Sequence, residues 1–374
     1  MAGRDQPTGP ADLATARTCL SVPQTQPLRR QADRHRSRLL AAILHEQESG
    51  AGRGKLEARG VFHRGDQDRW HSHAGHLGFL AVVVNGSADP TLSCVILTMG
   101  TRPDELARAI ASTEPLRAEG VELVLVGNGA DLPPVPEDVV TVRLPDNAGV
   151  AGGRNAGVAA SSGEVVLFLD DDAWFSDPGI AKHVAARFAA DRRLAVLAFR
   201  VVDPTGGPGA RWHVPRLLPG DPGRSSEVAM FVGTGFAARK SAFLEVGGLP
   251  GSFFFAHEEV DLTWRLVQRG YSLHYDADAR ICHPPVPNAR HSFWYRYDGR
   301  NRVLLARRNL PWPLAGIYLL DWFLITMLKR RGPGARLSWL RGFAEGWRTD
   351  PGERRPIALG TVWRLTRLGY PPIV

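Results

Sequence analysis

After about residue 90, short apolar runs alternate along the sequence with segments of helical spacing. Leu92–Thr98 is apolar and β-branched, and 103–118 has helical periodicity with proline at its first position. Further elements are predicted as strands at 121–126, 139–144 and 165–169 and as a short helix at 155–160. Strands and helices that alternate at this spacing predict an α/β fold, in which a mostly parallel sheet is covered by helices and ligands bind at the carboxyl ends of the strands.

Three consecutive aspartates, Asp170, Asp171 and Asp172, end the last of these apolar runs. Carboxylates this close stay ionised only beside a metal ion or a basic partner, because each negative charge raises the pKa of the next. Hard carboxylate oxygens suit Mg²⁺ or Mn²⁺ that bridges to a substrate phosphate. The alternative is a solvated acidic loop that caps a helix starting near Asp177.

A series of short motifs accompanies these elements. The first half of the chain beyond residue 90 carries Cys94-Val95-Ile96-Leu97-Thr98, Gly127-Asn128-Gly129, Asn147-Ala148-Gly149, Arg154-Asn155-Ala156-Gly157 and the aspartate triplet. The second half carries Gly233-Thr234-Gly235 with Arg239 and Phe243, Gly247-Gly248, and His257-Glu258-Glu259-Val260-Asp261-Leu262 with Arg265 and Gly270. In order and spacing, over roughly residues 92–310, this set resembles family 2 glycosyltransferases.

The resemblance implies a GT-A fold, with a Rossmann-like sheet, and inversion at the anomeric carbon by an enzyme of hexosyltransferase type. It implies a nucleotide-diphospho-sugar donor and a divalent Mn²⁺ or Mg²⁺ ion, which neutralises charge on the departing diphosphate as a Lewis acid. With the triplet as the DXD motif, Asp170 and Asp172 are the implied metal ligands, although Asp170 can instead reach the ribose. His283 is a third candidate ligand, and a structural histidine is the alternative there.

The acceptor hydroxyl needs a base, because an alcohol is a poor nucleophile at neutral pH. Glu258 and Glu259 are the candidates, and the resemblance places the base at the second position, Glu259. The family has aspartate there, so the longer glutamate keeps Glu258 as an alternative. Both acids also fit a structural role in the first turn of a helix through Leu262 and Arg265. Asp261 is assigned a structural role, oriented by Arg265 or by backbone donors.

Donor contacts are expected where the first strands end. The resemblance places Thr98, Arg102 and Asn128 at the nucleoside pocket, and the planar guanidinium of Arg154 suits a diphosphate, with a surface arginine as the alternative. The predicted donor-binding set is Thr98, Arg102, Asn128, Arg154, Asp170 and Asp171. The nearby glycines do not form the dinucleotide fingerprint in register after a strand, which disfavours a nicotinamide enzyme.

Composition restricts the partners and the compartment. The net charge of +8 suits nucleotide donors, phospholipid headgroups or a lipid-diphosphate acceptor, whereas no motif supports a nucleic-acid partner. Cys19, Cys94 and Cys282 fit no metal spacing and leave one thiol unpaired, as expected in a reducing cytosol.

Three regions are predicted along the chain. Residues 1–90 form a largely disordered extension without a signal peptide, apart from an amphipathic helix at 31–48. Residues 91–310 form the GT-A catalytic domain, divided into a nucleotide-sugar half (91–175) and an acceptor half (176–310). Residues 311–374 form a helical extension.

The apolar segment 314–328 in this extension is too short to span a membrane, and Lys329, Arg330 and Arg331 follow it. One hypothesis is an interfacial helix that contacts a membrane through 311–331, and the other is a helix packed on the catalytic domain. Both keep the protein in the cytoplasm, and the interfacial helix places it at the inner face of the plasma membrane.

Three functions remain possible for the sequence. The first is an inverting, metal-dependent glycosyltransferase that acts on a glycan, lipid-linked or small-molecule acceptor, with cell-envelope glycan synthesis as the expected setting. A sugar-phosphate nucleotidylyltransferase would carry a Gly-rich basic loop after the first strand, and 99–103 matches that loop poorly. A non-catalytic nucleotide-sugar binding protein is the third, against which the intact Asp172 and Glu259 argue. The donor base and sugar stay open.

Overall fold

The computed structural model describes residues 89–205, 213–215, 221–284, 293–329 and 332–373. The predicted N-terminal extension lies outside these residues apart from its last two positions, and so does the helix predicted at 31–48.

The described residues form one mixed sheet of nine strands with helices on both faces. The strands are β1 (Leu92–Thr98), β2 (Glu122–Asn128), β3 (Val140–Leu144), β4 (Val165–Asp170), β5 (Trp174–Phe175), β6 (Leu194–Val202), β7 (Ser226–Glu227), β8 (Gly235–Arg239) and β9 (Ser272–Cys282). The α-helices are α1 (Pro103–Ser112), α2 (Glu114–Ala118), α3 (Gly149–Ala160), α4 (Ile180–Ala190), α5 (Lys240–Glu245), α6 (Glu258–Gln268), α7 (Trp294–Asn309), α8 (Trp312–Lys329), α9 (Pro333–Arg348) and α10 (Leu359–Arg367).

The strand order is β3-β2-β1-β4-β8-β6-β9-β5, and β7 pairs with β9. The first four of these strands are parallel, and β8 then runs antiparallel to both β4 and β6. Thr98 lies opposite Gly127, and Leu97 lies opposite Asp170. The ends of β1, β2 and β4 therefore meet at one edge of the sheet. The predicted α/β fold, with a helix-flanked sheet and a C-terminal helical extension, is confirmed.

Two hydrophobic clusters, one on each face, hold the sheet between its helices. In β4, Val166 and Phe168 belong to the cluster that includes α3, α5, α6 and α7. Val165, Leu167 and Leu169 belong to the cluster under α1 and α4. Because successive side chains of a strand point to opposite faces, a run that is apolar at every position needs cover on both sides.

Two predicted helices differ from the observed ones for identifiable reasons. The helix predicted at 103–118 is interrupted at Thr113, because Pro115 has no amide hydrogen for a continuous helix. Helix α3 begins at Gly149, six residues before the predicted start. Its glycines lower helix propensity, yet a Cβ at Gly153 or Gly157 would overlap side chains of β1, so these glycines allow close helix–sheet packing.

The C-terminal helices pack on the rest of the protein. Tyr318 of α8 and Leu365 of α10 are buried in the same cluster as α6, and α9 packs along α7. Glycines line the contact between α9 and α7: a Cβ at Gly342 would overlap the carbonyl oxygen of Arg296. Among the helices of the described ranges, none combines the length and the apolar character needed to cross a bilayer.

The close contact between α9 and α7 predicts opposite effects for two Gly→Ala substitutions in the same helix. Gly342→Ala is expected to lower the free energy of unfolding by about 1–3 kcal/mol, because the added methyl forces the backbones apart. A Cβ at Gly334 would have no neighbouring atom within 4 Å, so Gly334→Ala is expected to raise the free energy of unfolding by up to about 1 kcal/mol through helix propensity. Urea denaturation of both variants measures the difference, and equal effects would contradict the close approach.

Candidate functional site

The aspartate triplet at the end of β4 is paired with protein cations. Asp171 and Asp172 are buried, and the hydroxyl of Thr98 donates a hydrogen bond of 2.7 Å to Asp171 Oδ2. The Arg102 guanidinium donates to Asp171 Oδ1 at 2.5 Å and also bonds to Asp172 Oδ2. The basic partner that the sequence required for the triplet is therefore present, and the acids do not form a solvated cap on the following helix.

His283 lies next to the third aspartate. It directly follows β9, and its Nε2 is 3.2 Å from Asp172 Oδ1. The ring of His213 packs edge-on against the His283 ring, with centroids 5.6 Å apart. Burial, with a contribution from His283, lowers the pKa of His213 to about 4, so His213 is neutral at physiological pH.

Arg154 joins the two acid sets that the sequence singled out. This α3 residue is buried, which excludes the surface alternative. Its Nη2 donates to Asp170 Oδ1 at 2.9 Å and to the Gly233 carbonyl at 2.6 Å. Its Nη1 lies 3.9 Å from Oε1 of Glu258 and 3.9 Å from Oε1 of Glu259. The end of β4 and the start of α6 therefore meet around one guanidinium.

Burial changes the protonation of both acid sets. It raises the pKa of Asp170 to about 6, against the opposing charge of Arg154. It raises the pKa of Glu258 to about 8, with a further increase from the neighbouring Glu259 and an opposing effect from Arg154. Glu258 therefore holds a proton at neutral pH. Perturbed carboxyl groups of this kind are typical of catalytic sites.

Asn128, at the end of β2, holds the turn that leads into α3. Its amide donates to Asn147 Oδ1 at 2.9 Å and to the Gly149 carbonyl at 3.1 Å, and its Oδ1 accepts from the Ala148 amide at 2.8 Å. Gly149 has φ +73°, and a Cβ there would overlap Phe254. The nucleoside contact predicted for Asn128 stays a prediction, and its observed partners are within the protein.

The turn before α6 is strained. Phe254, Ala256 and His257 have φ of 60°, 70° and 69°, which costs a non-glycine residue on the order of 1–2 kcal/mol each. Asn301 of α7 holds this turn through its side-chain amide, which donates to the Phe255 and Ala256 carbonyls at 2.7 Å each. Strain held in this way sets where α6 starts, and hence where Glu258 and Glu259 point.

Asp298 of α7 supports the same turn. Its Oδ1 is 2.9 Å from His257 Nε2 and accepts from Arg302 Nε at 3.1 Å. Its Oδ2 accepts from the Trp339 indole of α9 at 3.0 Å. Sequence reasoning did not single out Asp298 or Asn301, because they lie about 40 residues after the motif and only the fold brings them to it.

Asp261 is paired within the protein, one turn into α6. Its carboxylate accepts from Arg265 Nε at 2.7 Å and from the Asn309 amide at 2.6 Å, and Arg308 Nε lies 3.1 Å away. These contacts tie α6 to the end of α7.

The predicted metal ligands were tested against this geometry. In the part of the chain that the structure describes, no group of three or more His, Cys, Asp or Glu side chains has the arrangement of a metal site. Arg102 and Arg154 contact Asp172 and Asp170, so the arginines provide positive charge that an ion would also provide. The ligand types nevertheless suit a divalent cation, because the Asp172 carboxylate and the His283 imidazole lie 3.2 Å apart. Both groups are also close enough to Asp170 to shift its pKa.

Comparison with known proteins bears on the predicted family. Residues 93–247 match the family model of glycosyl transferase family 2, which confirms the resemblance found in the sequence. Over 258 residues the chain is 27% identical to the pre-mycofactocin glycosyltransferase of two strains of Mycobacterium tuberculosis. The match covers 62% of this chain and 52% of the relative, so the chain spans about half the length of the curated relatives that it matches.

Solved structures give more distant likenesses. The crystal structure of GalNAc-T7 with UDP, GalNAc and Mn²⁺ has a TM-score of 0.49 and 18% identity, and covers 70% of this chain and 55% of that one. The crystal structure of S. aureus TarS 1–349 has a TM-score of 0.48 and 14% identity, and covers 68% of this chain and 80% of that one. Such distant likenesses say nothing about individual side chains.

The raised pKa of Glu258 predicts a pH-dependent effect of Glu258→Gln on stability. The folded state keeps the proton up to about pH 8, whereas the unfolded chain loses it above the ordinary value of 4.5. The wild-type stability that comes from this group is therefore complete below pH 4.5 and is lost as pH rises to 8. Glutamine cannot ionise, so the unfolding free energy of the variant relative to wild type should rise from pH 5 to 8, by at most about 1.4 kcal/mol per pH unit.

Urea denaturation at several pH values measures this change. Glu353→Gln is the control, because a hydrogen bond from Arg355 lowers the pKa of that surface glutamate and its effect should not grow over the same range. A constant difference between Glu258→Gln and wild type from pH 5 to 8 would show that Glu258 is ionised throughout.

Proposed function

We propose that this chain, whose residues 93–247 form a glycosyl transferase family 2 domain, moves a sugar from a nucleotide-diphospho-sugar to an acceptor hydroxyl with inversion. The observation that carries the proposal is the position of Arg154. This guanidinium bonds to Asp170 on the donor side and lies 3.9 Å from both Glu258 and Glu259 on the acceptor side. Acids for both halves of the reaction are thus close enough to act on one substrate pair.

On the acceptor side we assign the base to Glu259. Its side chain is 18% exposed, against 3% for Glu258, so an acceptor reaches it more readily. Glu258 holds its proton near neutral pH, which spares the pair a second adjacent negative charge. Glu259 then removes the hydroxyl proton as the oxygen bonds to the anomeric carbon from the face opposite the departing diphosphate.

On the donor side the arginines and the triplet receive the diphosphate. Arg102 is 29% exposed and contacts two of the three aspartates, so its guanidinium can turn to phosphate oxygens without leaving the site. Asp170, Asp172 and His283 would hold a divalent ion, and such an ion supplies Lewis-acid stabilisation of the leaving group. Thr98 and Asn128 complete the proposed nucleoside side at the ends of β1 and β2.

An aromatic cluster beside the strained turn is the proposed acceptor wall. The rings of Phe254 and Tyr297 stack with centroids 5.4 Å apart, and Phe293 packs edge-on against Tyr297 at 5.7 Å and against Phe255 at 5.6 Å. Phe293 is 40% exposed. Aromatic faces next to the proposed base suit the apolar face of a sugar ring in a glycan or lipid-linked acceptor. Pre-mycofactocin, named for the mycobacterial relatives, is a further acceptor to test.

Turnover of donor separates the three functions. With a panel of nucleotide sugars and Mn²⁺, we expect release of nucleoside diphosphate and a loss of about 10²–10⁴-fold in Glu259→Gln. Asp172→Ala should also abolish turnover, whereas Asp138→Ala, which removes an exposed carboxylate, should not. Release of pyrophosphate would instead indicate a nucleotidylyltransferase, and donor binding without turnover would indicate a non-catalytic protein.

The acceptor wall predicts a selective effect of Phe293→Ala. The KM for the acceptor should rise about three- to tenfold while acceptor-independent donor hydrolysis stays unchanged, because one stacking face is lost. Phe293→Tyr keeps the ring and should keep the wild-type KM. Equal KM values for all three proteins would place the acceptor elsewhere.

A further inference from the structure

Helix α8 exposes an apolar face along its length. The large side chains on this face, with their exposed fractions, are Trp312 (59%), Ile317 (46%), Leu320 (57%), Phe323 (37%), Leu324 (46%) and Leu328 (79%). Apart from the adjacent pair Phe323 and Leu324, they recur every three to five residues, which places them along one side of the helix. A surface helix normally presents polar residues on its outer side, whereas the outer side of α8 is apolar.

The opposite face of α8 is firmly docked. The Tyr318 hydroxyl accepts a hydrogen bond of 3.0 Å from Arg302, and its ring packs edge-on against Trp264 at 6.2 Å. The Arg302 guanidinium also lies over the Trp322 ring, 3.2 Å from its centroid. The orientation of the helix is therefore fixed, and the apolar stripe is its outer side.

The apolar surface continues onto α9. The ring centroids of Phe323 and Phe343 lie 6.4 Å apart, and those of Phe343 and Trp347 also lie 6.4 Å apart. Trp347 is 48% exposed. Contiguous apolar surface of this kind marks an interaction site, and tryptophan is enriched where protein meets the boundary between lipid and water.

The charge of this region identifies the partner. Residues 311–374 contain ten Lys or Arg and four Asp or Glu, so they carry +6 of the chain's net +8. Lys329, Arg330 and Arg331 directly follow the apolar stripe. A second copy would bring two equally positive regions together, whereas anionic phospholipid attracts them.

We propose that the outer face of α8, extended by Trp347 of α9, docks on an anionic lipid bilayer. The apolar side chains enter the boundary between headgroups and acyl chains, and the basic residues contact phospholipid headgroups. This is peripheral attachment of a helix that lies along the surface. Membrane attachment of this kind is separate from glycosyl transfer and does not depend on the proposed function.

Vesicle co-sedimentation of the full chain tests the proposal. We expect binding to phosphatidylcholine vesicles that contain phosphatidylglycerol, weaker binding to phosphatidylcholine alone, and loss of the difference at high salt. The double variant Leu320→Glu with Leu324→Glu should bind at least about tenfold less. Leu244→Glu changes a leucine of α5 that is 40% exposed and should bind like wild type. Matching thermal unfolding of the variants establishes that each is folded.

Three results would overturn the proposal: no binding to anionic vesicles at low salt, equal binding of the double variant, or equal binding to both lipid compositions. Sedimentation velocity provides the remaining test. A dimer of the wild-type chain that the double variant dissociates would assign the apolar face to a second copy. A wild-type monomer, with lipid binding lost in the double variant, supports the bilayer.

Discussion

The site depends on one buried positive charge. A guanidinium loses most of its hydration when it is buried, so Arg154 is stable only with anionic or carbonyl oxygens around it. Asp170, Glu258, Glu259 and the Gly233 carbonyl provide those oxygens from three separate segments. Because none of these groups is well placed without the others, the end of β4, the start of β8 and the start of α6 have to assemble together. Burial of this cluster raises the pKa of Asp170 and of Glu258, against the opposing charge of Arg154.

The proposed acceptor side is positioned by residues outside the segment that matches the family model. The strained turn before α6 would relax on its own, since its three left-handed residues have no glycine to make that conformation cheap. Asn301 and Asp298, both on α7, hold it through carbonyl groups and His257. The geometry of Glu258 and Glu259 is thus a property of the fold as far as the C-terminal helices.

Much of the strand framework around the proposed donor side could be predicted from the sequence. Buried parallel strands need continuous apolar runs, so β1, β2 and β4 were visible, and their ends had to share an edge. Strand β8, Gly-Phe-Ala-Ala-Arg, has no β-branched residue and gave no strand signal, although it pairs on both sides. The partners of Arg154 and the role of Asp298 depend on contacts between distant segments, which no local pattern encodes.

The Asp298 carboxylate connects the turn before α6 to α9, and both lie beyond the segment that matches the family model. It receives His257 from the turn before α6, Arg302 from its own helix and the indole of Trp339 from α9. A chain cut after α7 would keep every motif of the family and lose the third of these groups, leaving one oxygen of a buried acid without that donor. Helix α9 is therefore part of the support of the turn before α6. A shift of α9 would reach that turn through the contacts from Trp339 to Asp298 and from Asp298 to His257.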